Sequence, residues 1–214
     1  MKYCTLENYI TASCTLMNGI VGKDGASLFE NKDADTEGFL LSVYRHFQFN
    51  YPKFHKMDHL CKLGWLAAEI LLKDSFTKDD YRPEETGIIL ANANSSLDND
   101  LKYFETLKEF ASPSLFVYTL PNIVIGEICI RHHFKGEQVF FVAEHFDPVF
   151  VDQYISTLMN KQLIRACICG WVDVLGGDYK TVLFLVEQHQ QKQPVLFSAK
   201  NMADVFGKLN YLKY

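Results

Sequence analysis

Phe134-Lys135-Gly136-Glu137-Gln138-Val139-Phe140-Phe141-Val142-Ala143-Glu144-His145-Phe146 is the stretch on which the reading of this chain turns. A basic segment ending on glycine leads into a continuous apolar run of strand length, Val139 to Ala143, and a polar corner follows at Glu144 and His145. Val149 to Asn160 then has the pattern of a helix, and Leu163 to Gly170 that of a second buried strand. Strand, helix and strand in this order make the signature of an α/β sheet.

Upstream, Gly87-Ile88-Ile89-Leu90-Ala91-Asn92 is another continuous apolar run, as in a parallel strand covered on both faces. Ser95 or Ser96 can cap the helix that follows, with Asp98 and Asp100 beside the positive end of its dipole; that helix is expected to reach Phe110. Before it, Met57, Leu60, Cys61, Gly64, Ala67, Ala68 and Leu71 recur at three- and four-residue steps. They predict a first helix over 56–73, with small residues that allow close packing on a sheet. Tyr9 to Cys14 reads as the opening strand, and 18–35, rich in Gly, Asp and Lys, as a surface loop.

Pro121 and Asn122 open an apolar helix, Ile123 to His133, with Gly126 inside it. Glycine there costs about 1 kcal/mol relative to alanine, which implies a close approach by something else. Thr181 to Glu187 is the last strand. The short Leu175-Gly176-Gly177-Asp178-Tyr179 joins it to the strand before, so the two pair antiparallel. Gln188 to Gln193 reads as a linker and the amphipathic remainder as a terminal helix from near Lys200. The expected fold is α/β, a mixed, mostly parallel five-stranded sheet with helices on both faces and the last strand antiparallel. It is expected over 1–190, with 191–214 as a helical C-terminal extension.

With 214 residues and 48% hydrophobic content the chain can bury a full core. Its 26 acidic and 21 basic residues give a net charge of −5, and no Lys/Arg cluster is dense enough for a run of phosphates, so nucleic acid is not an expected partner. Lys53, Lys56 and Lys62, or Arg131 and Lys135, are the cations available for a local basic patch. No apolar stretch approaches the roughly 20 residues of a bilayer span, and Met1 to Glu7 has no signal pattern, so no membrane contact and a cytoplasmic location are expected. The six cysteines lie spread through apolar segments, the placing of buried reduced thiols.

The element order, with Pro121-Asn122, Gly126, Phe134-Lys135-Gly136 and Gly170, resembles the N-terminal half of the beta-ketoacyl synthases, the 3-oxoacyl-(acyl-carrier-protein) synthases of the thiolase-like superfamily. The resemblance covers about 5–187 and extends to Lys56-Met57-Asp58 and Ser95-Ser96-Leu97-Asp98. That family keeps a nucleophilic cysteine nine residues after the glycine of this turn. The same ungapped count reaches His145 here and runs on a further twenty-five to Gly170. A condensing-enzyme scaffold without its nucleophile is implied.

In that family a second, similar half supplies two histidines or a His/Asn pair, and that half is expected to be absent here. The cysteine thiolate takes the acyl chain, while the imidazoles assist malonyl decarboxylation and stabilise enolate and oxyanion, so a half-site is not expected to condense. Some relatives carry glutamine at the cysteine position and act as chain-length partners or decarboxylases. The resemblance also places dimer contacts on the helix with Asn122 and Gly126 and on the strand with Val139 and Phe141. An unpaired strand edge and an uncovered apolar helical layer point the same way, to a homodimer or a heterodimer with a full-length ketosynthase. Acyl carrier protein is a further partner that the resemblance allows.

Other residues read more plainly. Adjacent at a strand end, Glu144 and His145 point opposite ways, which makes an acid/base pair awkward. His145 is either a hydrogen-bonded structural histidine or part of a residual pocket. No cofactor or metal is expected: His55 and His59 stand at i and i+4, but no HExxH-type carboxylate accompanies them. His132 and His133 lie on different helical faces, and Cys167 and Cys169 share one face of a strand as buried thiols. Three functions stand against one another: a non-catalytic chain-length-factor-like subunit assisting fatty-acid or polyene/polyketide elongation, a stand-alone acyltransferase or thioesterase-like enzyme using His145, and a scaffold binding acyl chains or carrier protein.

Overall fold

The computed structural model describes residues 7–188 and 195–210. In chain order it contains β1 (Tyr9–Met17), β2 (Ile20–Lys23), β3 (Ala26–Glu30), α1 (Thr36–His46), α2 (His59–Leu72), β4 (Thr86–Asn92), α3 (Leu97–Thr106), α4 (Pro113–Phe116) and α5 (Ile123–His132). Then follow β5 (Gln138–Val142), α6 (Pro148–Asn160), β6 (Ala166–Leu175), β7 (Asp178–Glu187), β8 (Val195–Leu196) and α7 (Ala199–Asn210). None of these helices is long and apolar enough to cross a membrane.

The strands form one sheet in the order β3-β2-β1-β7-β6-β4-β5, with β8 beside β1. Its centre is the expected five-stranded unit. β4 pairs parallel with both β5 and β6, β7 runs against β6 and β1, and so β1, β4, β5 and β6 share one direction and β7 alone opposes it. The Gly176-Gly177 turn sets Leu175 opposite Asp178, the antiparallel join that its length requires.

Several segments differ from the expectation: α3 ends at Thr106 instead of reaching Phe110, α4 and β8 are additional, and two further changes lie near the start of the chain. The expected loop over 18–35 holds the hairpin β2–β3, because Asn18-Gly19 and Asp24-Gly25 adopt positive φ (49°, 72°, 51° and 82°) in two tight turns whose twist matches antiparallel strands. α1 also precedes the helix taken as first. Asp35 caps it by accepting from the Gly38 N–H at 2.8 Å, and Phe39, Leu40, Val43 and Tyr44 bury its inner face.

Helices cover both faces of the sheet. On one side α2 is buried all round from Leu60 to Leu72, packed on β1, β6 and β7 and roofed by α1 and α5. On the other, Val151, Ile155 and Met159 of α6 meet Ile89, Cys167, Cys169 and Phe184 of the strands. Met202 of α7 and Phe197 join this second core, so part of the helical layer expected to stand open is covered from within the chain. The Phe134-Lys135-Gly136 segment fastens β5 in place: Phe134 is buried, and the Lys135 and Gly136 N–H groups donate to Pro83 and Thr86 at 2.7 and 3.2 Å. A Cβ on Gly136 would lie 2.4 Å from the Thr86 carbonyl oxygen, so only glycine lets β5 start alongside β4.

Candidate functional site

β4 and β5 end together, the Ala143 N–H donating to the Asn92 carbonyl at 2.9 Å, and the chain then turns through Glu144, His145 and Phe146 into α6. His145 therefore stands at a strand-to-helix corner at the carboxyl end of parallel strands, where α/β sheets bind their ligands. Its imidazole is exposed and lines an apolar cleft of about 240 Å³. Ile89 and Ala91 of β4, Phe141 of β5, Phe146, Phe150 and Gly170 form its walls. Glu144 is exposed but does not line the cleft, so the two polar residues of the corner do not work as a pair. No described residue hydrogen-bonds the His145 imidazole.

The start of α6 explains what this corner can and cannot do. A free helix N-terminus offers unpaired N–H groups and a positive dipole end, which lower the pKa of a nucleophile and hold an oxyanion. Here the Asp147 carboxylate accepts from Val149 and Phe150 N–H at 2.9 and 3.0 Å. Pro148, at the first helical position, has no N–H to offer. The positive end of α6 is thus already matched by a carboxylate that itself lines the cleft. Sequence reasoning missed Asp147, although an Asp-Pro pair before an apolar run is a helix-start signal.

No cysteine lines this cleft. The nearest in the fold, Cys167 and Cys169 of β6, share one face and lie fully buried in the second core, where burial pushes both thiols upward and away from thiolate. Gly170 follows them with φ 145°, and a Cβ there would lie 2.0 Å from the Val182 carbonyl oxygen. The backbone approach at this cleft wall is closed to any side chain.

Of the interface candidates, Phe141 is itself a cleft wall, and Val139, Asn122 and Gly126 lie outside the cleft. β5 is the edge of the sheet, with no described strand on its outer side. Val139 and Phe141 turn towards α6, the Phe141 ring meeting those of Phe150 and Tyr154 at 4.9 and 5.5 Å. Asn122 is exposed at the start of α5, and a Cβ on Gly126 would meet nothing within 4 Å. No part of the described chain makes the close approach that this glycine suggested.

His55 and His59 do not share a helical face, because a 3₁₀ turn at Pro52–Lys56 ends before Asp58 caps α2. His55 packs edge-on against Tyr44, whereas His59 lies 3.0 Å from Asp98 and 3.4 Å from Glu37. His132 lies 2.8 Å from Glu69, and His133 ends α5 in the left-handed conformation. Among the described residues no three His, Cys, Asp or Glu side chains gather as metal ligands would. The cations read as a basic patch are largely committed: Lys53 to Glu127 at 2.7 Å, Lys62 to Glu37 at 2.6 Å and Arg131 to Glu69 at 3.1 Å.

No protein-family model and no curated protein sequence matches the chain. Among solved structures it is similar to the ishigamide ketosynthase/chain length factor, with TM-score 0.62 and 18% identity, over 88% of this chain and 64% of that one. It is similar to a type II polyketide synthase acyl-carrier protein in complex with its ketosynthase bound to the hexaketide, with TM-score 0.59 and 13% identity, over 85% of this chain and 62% of that one. A ketosynthase (ApeO) in complex with its chain length factor (ApeC) from Xenorhabdus doucetiae matches with TM-score 0.57 and 14% identity, over 86% of this chain and 80% of that one. The chain spans less than two thirds of the length of the first two. Over most of its length the chain has the fold of these ketosynthase structures.

Proposed function

We propose that the chain is a non-catalytic, chain-length-factor-like subunit that assists carrier-protein-dependent fatty-acid or polyene/polyketide elongation by pairing with a ketosynthase. One observation carries this reading: the corner that holds a nucleophile in the family presents His145, above an apolar cleft that no cysteine lines and beside a helix start already capped by Asp147. An acyl-imidazole would be labile, a poor store for a chain awaiting its second substrate, and the capped helix end gives a developing oxyanion no free N–H pair. The apolar cleft suits contact with an acyl chain, and the β5 edge with Val139 and Phe141, together with Asn122 and Gly126 on α5, suits a partner of the same fold. Two of the similar structures are ketosynthases with their chain length factors, and a third is a ketosynthase with its acyl-carrier protein, which supports the same partners here.

The test is acyl loading. The purified chain is expected to take no covalent label from malonyl- or acyl-carrier protein, to co-purify with an identified ketosynthase, and to alter that enzyme's product length. Label that appears on the chain alone and vanishes with His145→Ala would replace this reading with a small acyltransferase or thioesterase.

A further inference from the structure

A second cavity, of about 370 Å³, opens at the amino end of β4, where Thr86 begins the strand. The seven residues of β4 set it about 20 Å from the His145 corner, at the opposite end of the sheet. Three aromatic rings wall it: Phe76 lies parallel to Tyr81 at 5.2 Å and edge-on to Phe134 at 5.6 Å. These walls are held from behind. Tyr81 donates its hydroxyl to the buried Glu187 at 2.7 Å, Phe134 is buried, and the Lys135 and Gly136 N–H groups tie the turn between α5 and β5 to Pro83 and Thr86. The cavity is therefore preformed, and its volume falls within the roughly 300–1,000 Å³ of small-molecule sites.

The polar groups on the wall favour an anion. Thr86 is 1% exposed, and no described residue bonds its hydroxyl. The His133 imidazole and the Lys78 ammonium likewise have no ion pair or hydrogen bond with the described chain. Arg82 gives one amino group to Glu85 at 3.0 Å and is otherwise open to solvent. Asp79 is the one carboxylate on the wall, so Lys78 and Arg82 leave a positive charge in excess there, in a chain of net charge −5. His133 ends α5 at φ 62°, where glycine is the usual residue, yet an imidazole stands there on the cavity wall. An unpaired buried hydroxyl, an imidazole and an ammonium beside aromatic walls match a flat ring that carries a carboxylate. The ring displaces water from Phe76 and Phe134, and the carboxylate accepts from the three donors. A bare phosphate leaves the aromatic walls wet, and an uncharged ring leaves the donors unused.

We propose that this cavity is a binding site for a small aromatic carboxylate, separate from the His145 cleft and independent of the chain-length-factor reading. Isothermal titration calorimetry of the full chain with 2-naphthoate tests it. One molecule is expected to bind per chain, with the neutral 2-naphthamide and inorganic phosphate each about tenfold or more weaker. Lys78→Ala, Thr86→Val and His133→Asn should each weaken naphthoate about fivefold or more. Asparagine keeps a residue suited to the left-handed turn, and Lys78 is exposed, so these two variants decide the matter if Thr86→Val misfolds. No binding at millimolar naphthoate, naphthamide or phosphate that binds as tightly, or binding that survives Lys78→Ala and His133→Asn but is lost with His145→Ala, overturns the proposal.

Discussion

At Asp98 a buried carboxylate is bonded from three elements: His59 Nδ1 at 3.0 Å, Lys102 Nζ at 2.8 Å and the Gly176 N–H at 2.8 Å. Burial by itself raises its pKa, but these partners prevail and hold the carboxyl well below the usual carboxylate range. Because the folded pKa lies below the unfolded one, the stabilisation is complete above about pH 4 and is lost as pH falls further. Asp98→Ala should cost about 3 kcal/mol at neutral pH, since it leaves Lys102 and His59 without their shared partner. Urea titrations from pH 7 to pH 3 should show stability falling in the wild type and a flatter profile in Asp98→Asn. Gly170 makes a second prediction. With φ 145° and the Val182 oxygen 2.0 Å from any Cβ, Gly170→Ala should cost about 3 kcal/mol, read by chemical denaturation. The glycine was legible in the sequence as the end of a buried strand run. Its reason, a strand crossing too close for a side chain, was not, because that depends on β7.

Among the elements, α2 and the strands β4, β6 and β7 could be placed from the sequence because unbroken apolar runs allow only a buried course. α1 and the β2–β3 hairpin could not, since their polar residues mask short signals: an Asp35 cap, and two turns made by Asn18-Gly19 and Asp24-Gly25. α7 is the element whose placing matters most. Met202 has no exposed surface, Phe206 stacks on Phe146 at 4.8 Å, and the Ala199 N–H donates to Asp152 of α6 at 3.0 Å. The helix therefore braces the cleft wall next to His145. Met202→Ala is expected to cost about 2–3 kcal/mol and to leave one cooperative unfolding transition; a separate early transition would show α7 to fold apart from the sheet.

For the whole molecule, α2 and α5 close one face of the sheet and α6 with α7 the other, which leaves the β5 edge and the apolar α3–α4 surface open. Local pattern was enough for the α/β class, the direction of each strand in the central five and a polar corner at His145 after an apolar strand. Those follow from hydrophobic period and turn length. The assembled fold was needed to show that His145 stands exposed at the cleft, that Asp147 occupies the helix end beside it, and that α3 turns its apolar side to solvent. Each of these depends on which surface a neighbouring element covers, and burial is set by contacts between residues far apart in the chain.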